Sequence, residues 1–159
     1  MKSPDVPKAL VIGGSLGGLF AATALRAIGW QVDVFERSPA AMDSRGGGIV
    51  LQADVLQHFR YAGIQHTRAL GVRSYDRLYL DRAGAIVHKE PMPQTQTSWN
   101  TLYGSLFSAF PVEHYHRGKT LVDLTQNDHR VTATFADGSS AEGDLLIGAD
   151  GAGSTVRSV

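Results

Sequence analysis

The amino-acid sequence predicts an α/β fold in which a βαβ unit is followed by a three-stranded β-meander. Three observations support this prediction. The stretch "KALVIGGSLGGLFAATAL" has the pattern of a buried strand, a glycine-rich turn and a helix. The stretch "QVDVFE" follows it and alternates apolar and polar residues as a strand does, which completes a βαβ unit of about 30 residues. Strand-like runs separated by short polar turns then follow His114.

Composition sets the class of protein. The 159 residues are 43% hydrophobic and 19% charged, which is enough apolar material for the core of one domain. Fifteen basic and fifteen acidic residues cancel, so we expect no nucleic-acid partner. The absence of cysteine fits the cytoplasm and excludes a thiolate nucleophile, a thiolate metal site and a redox-active disulfide.

The uncharged run from Ala9 to Leu25 has two further interpretations. With Lys8 before it and Ala22-Thr23-Ala24 inside it, the run loosely resembles a signal peptide. A helix that spans a membrane needs about 20 apolar residues, and the clustered glycines would weaken one here. A strand, a turn and a helix explain the run better, and we expect no membrane association.

The elements of the first half are predicted in order from periodicity. The strand Ala9–Ile12 precedes a helix over Leu16–Ile28, which ends at Gly29, and the strand Gln31–Glu36 follows. After the irregular loop "ERSPAAMDSRGGG", the predicted elements are a short strand over Ile49–Leu51, a helix over Ala53–Ala62, and strands over Tyr75–Leu80 and Ala85–His88 that form a hairpin around residues 81–84.

In the second half, "EPMPQTQTS" is predicted as a loop that leads into an amphipathic helix over Thr101–Phe110. Three strands are then expected to form the meander: Tyr115–Asp123, Arg130–Ala136 and Leu145–Ile147.

Ser15 belongs to two incompatible motifs. Residues 13–17 match G-x-S-x-G, the nucleophile elbow of serine hydrolases. Such an elbow needs an upstream loop that donates to the oxyanion, but only twelve residues precede Gly13. Six histidines follow, and none has a local signature of a catalytic base. The elbow is therefore the weaker of the two interpretations.

The second motif is a dinucleotide-binding turn, G-x-[GS]-x-x-G. Gly13 permits the tight turn, Ser15 stands where a second glycine is usual, and Gly18 allows the helix to pack closely on the strand. The helix N-terminus then faces a pyrophosphate with free N–H groups. The candidate phosphate-binding residues are Gly13, Gly14, Ser15, Leu16 and Gly18.

Glu36 supports the dinucleotide interpretation. It ends the second strand 18 residues after Gly18, near the place where a carboxylate accepts hydrogen bonds from an adenosine ribose. A carboxylate there repels a 2′-phosphate, so NAD or FAD is favoured over NADP. Arg37 is a candidate for contact with adenine or phosphate, and a solvated position explains it equally well.

The stretch "GDLLIGADGAGSTVRS" distinguishes FAD from NAD. The run Asp150-Gly151-x-x-Ser154-x-Val156-Arg157 resembles the "DG" motif of the flavin-dependent aromatic hydroxylases, the class A monooxygenases of the para-hydroxybenzoate hydroxylase type. In that family the Asp-Gly turn lies beside FAD and is implicated in pyridine nucleotide binding. The resemblance implies a Rossmann-like FAD-binding βαβ unit, with Asp150 and Gly151 in the FAD site.

Other segments resemble the branch of 2,6-dihydroxypyridine 3-hydroxylase, whose members oxidise electron-rich heteroaromatic rings. These segments are residues 36–39, 46–52 and 115–122, and they add Gln52 and Leu121 to the candidate FAD site. Many family members carry an arginine near the flavin at about the position of Tyr103, so this chain departs from the pattern there. Family members are also several hundred residues long, so the fold is incomplete relative to the full family fold.

The resemblance implies a function. Residues 1–159 are expected to form the N-terminal part of an FAD-binding domain, with the substrate domain and a second FAD motif absent from this chain. The complete enzyme would use FAD, NAD(P)H and O2 to hydroxylate a small aromatic or heteroaromatic substrate, and it could be an oligomer. The alternatives are a free-standing NAD-binding module, an inactive truncated product and a structural role without ligand.

We predict no catalytic side chain and no metal site in this chain. His114 and His116 are two residues apart on a predicted strand and therefore share a face. The sequence places no third ligand near them, so a metal site is not favoured.

Overall fold

A computed structural model describes residues 6–42, 46–66 and 69–159. The strands form one four-stranded parallel sheet and two antiparallel three-stranded sheets. In chain order the elements are β1 (Lys8–Ile12), α1 (Leu16–Ala27), β2 (Gln31–Glu36), β3 (Gly48–Val50), α2 (Ala53–Tyr61), β4 (Val72–Leu80), β5 (Ile86–Ser98), α3 (Trp99–Ala109), a 3-10 turn (Val112–His114), β6 (Tyr115–Arg117), β7 (Leu121–Gln126), β8 (Val131–Phe135), β9 (Ser140–Gly143) and β10 (Leu145–Gly148).

The parallel sheet has the order β10-β1-β2-β6 and is covered on both faces. Alternation along β1 divides its side chains between two cores, because successive residues of a strand point to opposite faces. Ala9 and Val11 pack with the helices, whereas Leu10 and Ile12 pack with residues of the meander, and all four are buried. The predicted α/β class, with a βαβ unit and a three-stranded meander, is confirmed.

The helices form one layer on the sheet. Leu19 and Ala22 of α1 are fully buried, and they share a core with Leu102 and Leu106 of α3. The chain leaves α1 through Gly29, which has a φ of 90°, a value that glycine adopts without strain. No helix in the described ranges is long and apolar enough to span a membrane.

The composition of the meander differs from the prediction. It consists of β7, β8 and β9, so its third strand is Ser140–Gly143. The predicted third strand, Leu145–Ile147, instead pairs with β1 in the parallel sheet. The apolar run "LLIG" is typical of a strand in a covered parallel sheet, whereas "SAEG" has no β-branched or aromatic residue to mark it as a strand.

The single strand predicted over Tyr115–Asp123 is also wrong. Gly118 has a φ of 71° and divides the segment into β6, in the parallel sheet, and β7, in the meander. One glycine thus transfers the chain from one sheet to another, because a left-handed residue ends the extended conformation.

The prediction of a loop over "EPMPQTQTS" is wrong as well, because the whole stretch belongs to β5. The hairpin turn at residues 81–84 is present as predicted. Beyond it, β5 pairs with β4 and then with β3. The register shifts between Ser74 and Asp76, opposite Pro93, and proline is tolerated at such a bulge because no ladder N–H is required there. Part of the loop predicted after Glu36, residues 43–45, lies outside the described residues.

Helix α3 begins at Trp99, two residues before the predicted start at Thr101. The Ser98 side chain accepts a hydrogen bond from the Thr101 N–H at 3.1 Å, which is the geometry of a helix N-cap. Sequence periodicity predicts that a helix is present more accurately than it predicts where the helix starts, because capping decides the boundary.

A histidine joins the first two helices and makes stability depend on pH. His58 Nε2 lies 2.8 Å from the Thr23 hydroxyl, and the ring meets Phe20 edge-on at 4.8 Å. Burial lowers the pKa of His58 below 6.5. Between the lowered pKa and 6.5, the unfolded chain holds a proton at His58 that the folded chain does not. The folded state therefore loses stability as the pH falls below 6.5.

We expect His58→Gln to reduce this loss. The free energy of unfolding, measured in urea at about pH 8 and about pH 5, should fall less between the two values in His58→Gln than in the unaltered chain. His129→Gln, at an exposed turn, is the control and should leave the difference unchanged. An equal pH dependence in all three proteins would contradict the assigned role of His58.

Candidate functional site

The glycine turn between β1 and α1 is packed tightly against its neighbours. Gly13 has a φ of 104°, and its N–H donates to the carbonyl of Phe35 at 2.8 Å. A Cβ at Gly13 would overlap the backbone carbonyl of Ala149, so this turn and the turn after β10 lie in direct contact. Gly13 is therefore required both for its conformation and for this close approach.

The adjacent residues Gly17 and Gly18 differ in the space that a side chain would have. A Cβ at Gly18 would overlap the carbonyl oxygen of Gly13, whereas a Cβ at Gly17 would have no neighbour within 4 Å. Gly18 thus allows the first turn of α1 to lie on the glycine turn, which is the packing role expected for the last glycine of the motif.

The start of α1 can receive an anion. The first N–H groups of a helix have no intrahelical partner, and the helix dipole adds partial positive charge there. Ser15 precedes the helix in an extended conformation, and within the described part of the chain its side chain makes no capping bond. The first turn of α1 carries no acidic residue that would compete for these N–H groups.

Glu36 lies buried at the end of β2, directly beside this turn. One carboxylate oxygen accepts a hydrogen bond from the Gly14 N–H at 2.8 Å, and the other accepts one from the Ser38 N–H at 2.8 Å. An ionised carboxylate offers about four acceptor positions, so two bonds leave capacity for a ligand hydroxyl. Glu36 therefore supports the turn and can still bind a ribose.

Tyr115 also supports the glycine turn between β1 and α1. Its hydroxyl donates to the Gly14 carbonyl at 2.8 Å and lies 3.4 Å from the Tyr103 hydroxyl. Burial, together with the contact to Tyr103, raises the pKa of Tyr115 well above its ordinary value. Tyr115 is therefore a neutral donor, and sequence inspection did not identify it because the contact joins residues 101 positions apart.

The Asp-Gly turn after β10 is organised by Asp150. The carboxylate accepts bonds from the Ser154 hydroxyl at 2.6 Å and from the N–H groups of Thr155 and Val156 at 2.7 and 3.1 Å. Partial burial opposes ionisation, but these hydrogen bonds outweigh it and lower the pKa of Asp150. Gly151 follows with a φ of 85°. The spacing of the "DG" motif thus has a structural reason: Ser154 and Val156 close a loop on Asp150.

These turns surround a cleft of about 240 Å³ at the carboxyl ends of β1, β2 and β10. In open parallel sheets, ligands bind at this edge, where neighbouring connections leave in opposite directions. Of the residues predicted to bind a cofactor, the cleft is lined by Gly13, Ser15, Glu36, Arg37, Leu121, Asp150 and Gly151.

The other predicted residues lie elsewhere. Gly14, Leu16 and Gly18 belong to the turn and the first turn of α1 without lining the cleft. Gln52 lines a separate, polar depression with Arg73 and Thr95, and its amide donates to the Val50 carbonyl at 3.3 Å. The assignment of these residues to cofactor binding stays a prediction.

The cleft does not support the serine hydrolase interpretation. Among the described residues that line the cleft with Ser15, none is a histidine, so the structure places no imidazole there to form a Ser-His pair. His114 and His116 instead contact Asp33, with ring nitrogens 2.8 and 3.1 Å from one carboxylate oxygen. Lys8 binds the other oxygen at 2.9 Å. In the described ranges, no group of three or more histidine, aspartate or glutamate side chains has the geometry of a metal site.

Tyr103, where many family members carry an arginine, is a core residue. Its ring stacks on Trp99 at 4.6 Å and on Phe107 at 5.6 Å, and 5% of the residue is exposed. Tyr103 is therefore part of an aromatic stack in the core.

Several cleft residues were missed by sequence inspection, among them Phe35, Met42, Thr120 and Lys119. Lys119 is the informative case. Its ammonium binds Asp137 and Ser139 in the turn between β8 and β9. This contact between the turn and the cleft forms only when the meander packs on the sheet, so no local sequence motif predicts it.

A glycine turn, a strand-end carboxylate and an Asp-Gly turn at one edge of a parallel sheet define a dinucleotide-binding domain. The comparisons with known proteins identify the family. Residues 7–159 match the family described as FAD binding domain, and the chain belongs to it. The resemblance to flavin-dependent aromatic hydroxylases is also confirmed.

The similar proteins are flavin enzymes of greater length. The chain is 39% identical to 2,6-dihydroxypyridine 3-monooxygenase of Paenarthrobacter nicotinovorans, over 98% of this chain and 39% of the relative. The structure of 2,6-dihydroxypyridine-3-hydroxylase from Arthrobacter nicotinovorans superposes with a TM-score of 0.86, at 39% identity and the same coverage. Klebsiella pneumoniae HpxO complexed with FAD and uric acid gives a TM-score of 0.79 at 28% identity, over 95% of this chain and 41% of that one. The chain thus spans about two fifths of the length of these relatives.

Adjacent glycines provide a test of the close packing in the turn. Gly18→Ala should lower the free energy of unfolding by about 1–3 kcal/mol, because the new methyl group meets the Gly13 carbonyl oxygen, an atom of the backbone. Gly17→Ala is the matched control and should raise it by up to about 1 kcal/mol, because alanine favours the helix and the site is open. Urea unfolding monitored by circular dichroism measures both, and equal effects would contradict the packing role of Gly18.

Proposed function

We propose that this chain is the FAD-binding portion of an NAD(P)H-dependent monooxygenase that hydroxylates an activated aromatic or N-heteroaromatic ring. The observation that carries the proposal is the position of Glu36, which lies in one cleft with the glycine turn and Asp150. Membership of the FAD-binding domain family supports the identity of the cofactor. The ring substrates that the relatives' names give, a dihydroxypyridine and uric acid, support the class of substrate.

Each part of the cleft has a role in this proposal. The N–H groups at the start of α1 bind the pyrophosphate, and the Ser15 hydroxyl can donate to it. Glu36 accepts hydrogen bonds from the adenosine ribose, while Arg37 lies on the exposed side of the same cleft. Asp150 and Gly151 form the Asp-Gly turn that lines the cleft after β10. FAD, when bound, supplies the redox chemistry with O2, and NAD(P)H supplies the electrons.

The chain's own residues bind and orient rather than react. We assign no catalytic side chain to this chain, and we propose that the substrate domain and a second FAD motif belong to further polypeptide of the complete enzyme. A cytoplasmic location and an oligomeric enzyme are part of the same proposal. The lowered pKa of Asp150 keeps its carboxylate ionised, and thus able to accept these hydrogen bonds, to a more acidic pH than an ordinary aspartate would reach.

Glu36→Gln tests the cofactor assignment. The substitution keeps the size of the side chain but removes its charge, so charge-assisted hydrogen bonds worth about 1.5–3 kcal/mol are lost. We expect the affinity for FAD and ADP to fall by tenfold or more, and that for FMN, which lacks the adenosine ribose, to stay within about twofold. Flavin fluorescence measures FAD and FMN, and calorimetry measures ADP.

Glu142→Gln, an exposed carboxylate on β9, is the control for the change of charge and should leave all three affinities unaltered. Equal losses for FAD and FMN would show that Glu36 acts only on the fold through Gly14 and Ser38. Tighter binding of NAD than of FAD by the unaltered chain would favour the alternative, a free-standing NAD-binding module.

The chain by itself should bind adenosine ligands without turnover. We expect purified protein of these 159 residues, with FAD, NADH or NADPH and 2,6-dihydroxypyridine or urate, to show no substrate-dependent oxidation of the reduced nucleotide. The physical reason is that we assign the described cleft to the adenosine half of FAD, and the proposal places the ring substrate in a further domain of the complete enzyme. Hydroxylated product in mass spectra would contradict this expectation.

A further inference from the structure

Lys119 lies where the cleft and the meander meet. It follows Gly118, in the connection between β6 and β7, and lines the cleft with a side chain that is 26% exposed. Its ammonium donates to Asp137 at 2.5 Å and to the Ser139 hydroxyl at 2.8 Å. Both acceptors belong to the turn between β8 and β9, so this side chain ties the turn of the meander to the cleft wall.

The backbone of Lys119 continues the connection toward the ligand side. Its N–H donates to the Glu36 carbonyl at 2.9 Å, and the Glu36 carboxylate in turn accepts the Gly14 N–H at 2.8 Å. The carbonyl of Thr120, another residue of the cleft wall, accepts the N–H of Ala136 at 2.9 Å. A continuous series of hydrogen bonds therefore leads from the meander through Lys119 to the glycine turn.

An aromatic contact runs beside these hydrogen bonds. The Lys119 ammonium lies 5.7 Å from the centre of the Phe135 ring, and Phe135 stacks on Phe35 at 4.6 Å. Phe35 itself lines the cleft and directly precedes Glu36. The meander thus contacts the cleft wall in two ways, through the ion pair of Lys119 and through the stacked rings of Phe135 and Phe35. Both sets of contacts lead to the carboxyl end of β2.

The ion pair itself contributes little to the stability of the fold. The Asp137 side chain is 47% exposed, so solvent screens the ion pair and little of its attraction is left to stabilise the fold. The bond to Lys119, followed by those from Ser139, lowers the pKa of Asp137, so the aspartate keeps its charge to a more acidic pH than an unpaired one would. The pair also has a local effect, because it holds Lys119, a residue of the cleft wall, against the turn between β8 and β9.

We propose that Lys119 is a positioning residue for the adenosine side of the cleft, holding the wall beside Glu36 in its binding geometry through Asp137 and Ser139. This inference rests on the proposed function, because it needs a ligand that Glu36 contacts. It assigns a role in cofactor binding to the β8–β9 turn, which does not itself line the cleft. The ligand class concerned is an adenosine diphosphate, whether free or as half of FAD.

The experiment uses this chain with ADP and FAD as probes. Lys119→Met removes the ammonium and keeps the aliphatic stem, Asp137→Asn removes the charge of its partner, and Lys119→Arg restores a cation. Lys89→Met is the matched control, because Lys89 forms a 2.8 Å ion pair with Asp76 on the β4–β5 hairpin and lines none of the described cleft. Calorimetry gives the dissociation constants, and urea unfolding gives the stability of each variant.

We expect Lys119→Met to weaken ADP and FAD by the same factor of about five, which corresponds to roughly 1 kcal/mol. Asp137→Asn should weaken both by a similar factor, and the double variant should be no worse than the poorer single variant, because the two side chains act as one unit. Lys119→Arg should recover most of the affinity. Lys89→Met should change no affinity, and the urea midpoints of Lys119→Met and Lys89→Met should agree.

The outcomes separate this inference from the proposed function. If the unaltered chain binds neither ADP nor FAD, the adenosine site itself is wrong, and the inference fails with it. If it binds both and Lys119→Met binds them equally well, the inference alone is overturned. If Lys119→Met weakens ADP as much in the Asp137→Asn background as in the unaltered chain, Lys119 acts on the ligand directly, and the positioning role is wrong.

Discussion

The hydrogen bond from the Gly14 N–H to the buried Glu36 carboxylate is the interaction on which the rest of the site depends. It joins the glycine turn after β1 to the end of β2, and so holds the turn from which α1 starts beside the cleft. A buried carboxylate is tolerated only when its oxygens are satisfied, and Glu36 meets that condition through Gly14 and Ser38. The same group thus has a structural role before any ligand arrives, and its spare acceptor capacity is what a ribose can use.

The glycines of the turn are a consequence of this arrangement. Gly13 and Gly18 lie where a single Cβ would meet backbone carbonyl oxygens, of Ala149 and of Gly13 itself, whereas Gly17 faces open space. Ser15 replaces a glycine at a position where the chain is extended and φ is negative, a conformation that serine adopts without strain, so the departure from the motif leaves the turn intact. The pattern G-x-S-x-x-G therefore reflects close contacts between backbone segments and does not mark a catalytic nucleophile.

The cleft draws on all three layers of the structure. The parallel sheet provides the strand ends, the helix layer provides the N-terminus of α1, and the meander provides Leu121 and the anchor of Lys119. Because β10 pairs with β1, the Asp-Gly turn arrives against Gly13. The comparisons are consistent with this, because the family match covers residues 7–159 and the structural likeness covers 98% of this chain.

The sequence by itself determined the elements whose signals are local: the βαβ unit, the glycine turn, Glu36 at the strand end and the Asp150-Gly151 motif. Each depends on residues close together in the chain, where spacing fixes geometry. Tertiary structure alone decided which sheet a strand joins, since Leu145–Gly148 and Ser140–Gly143 are separated by one residue yet pair with different partners. It also decided the roles of Tyr115 and Lys119, whose contacts with Gly14 and Asp137 arise only once the layers pack. Long-range pairing is chosen by the burial of whole faces, and a local pattern does not contain that information.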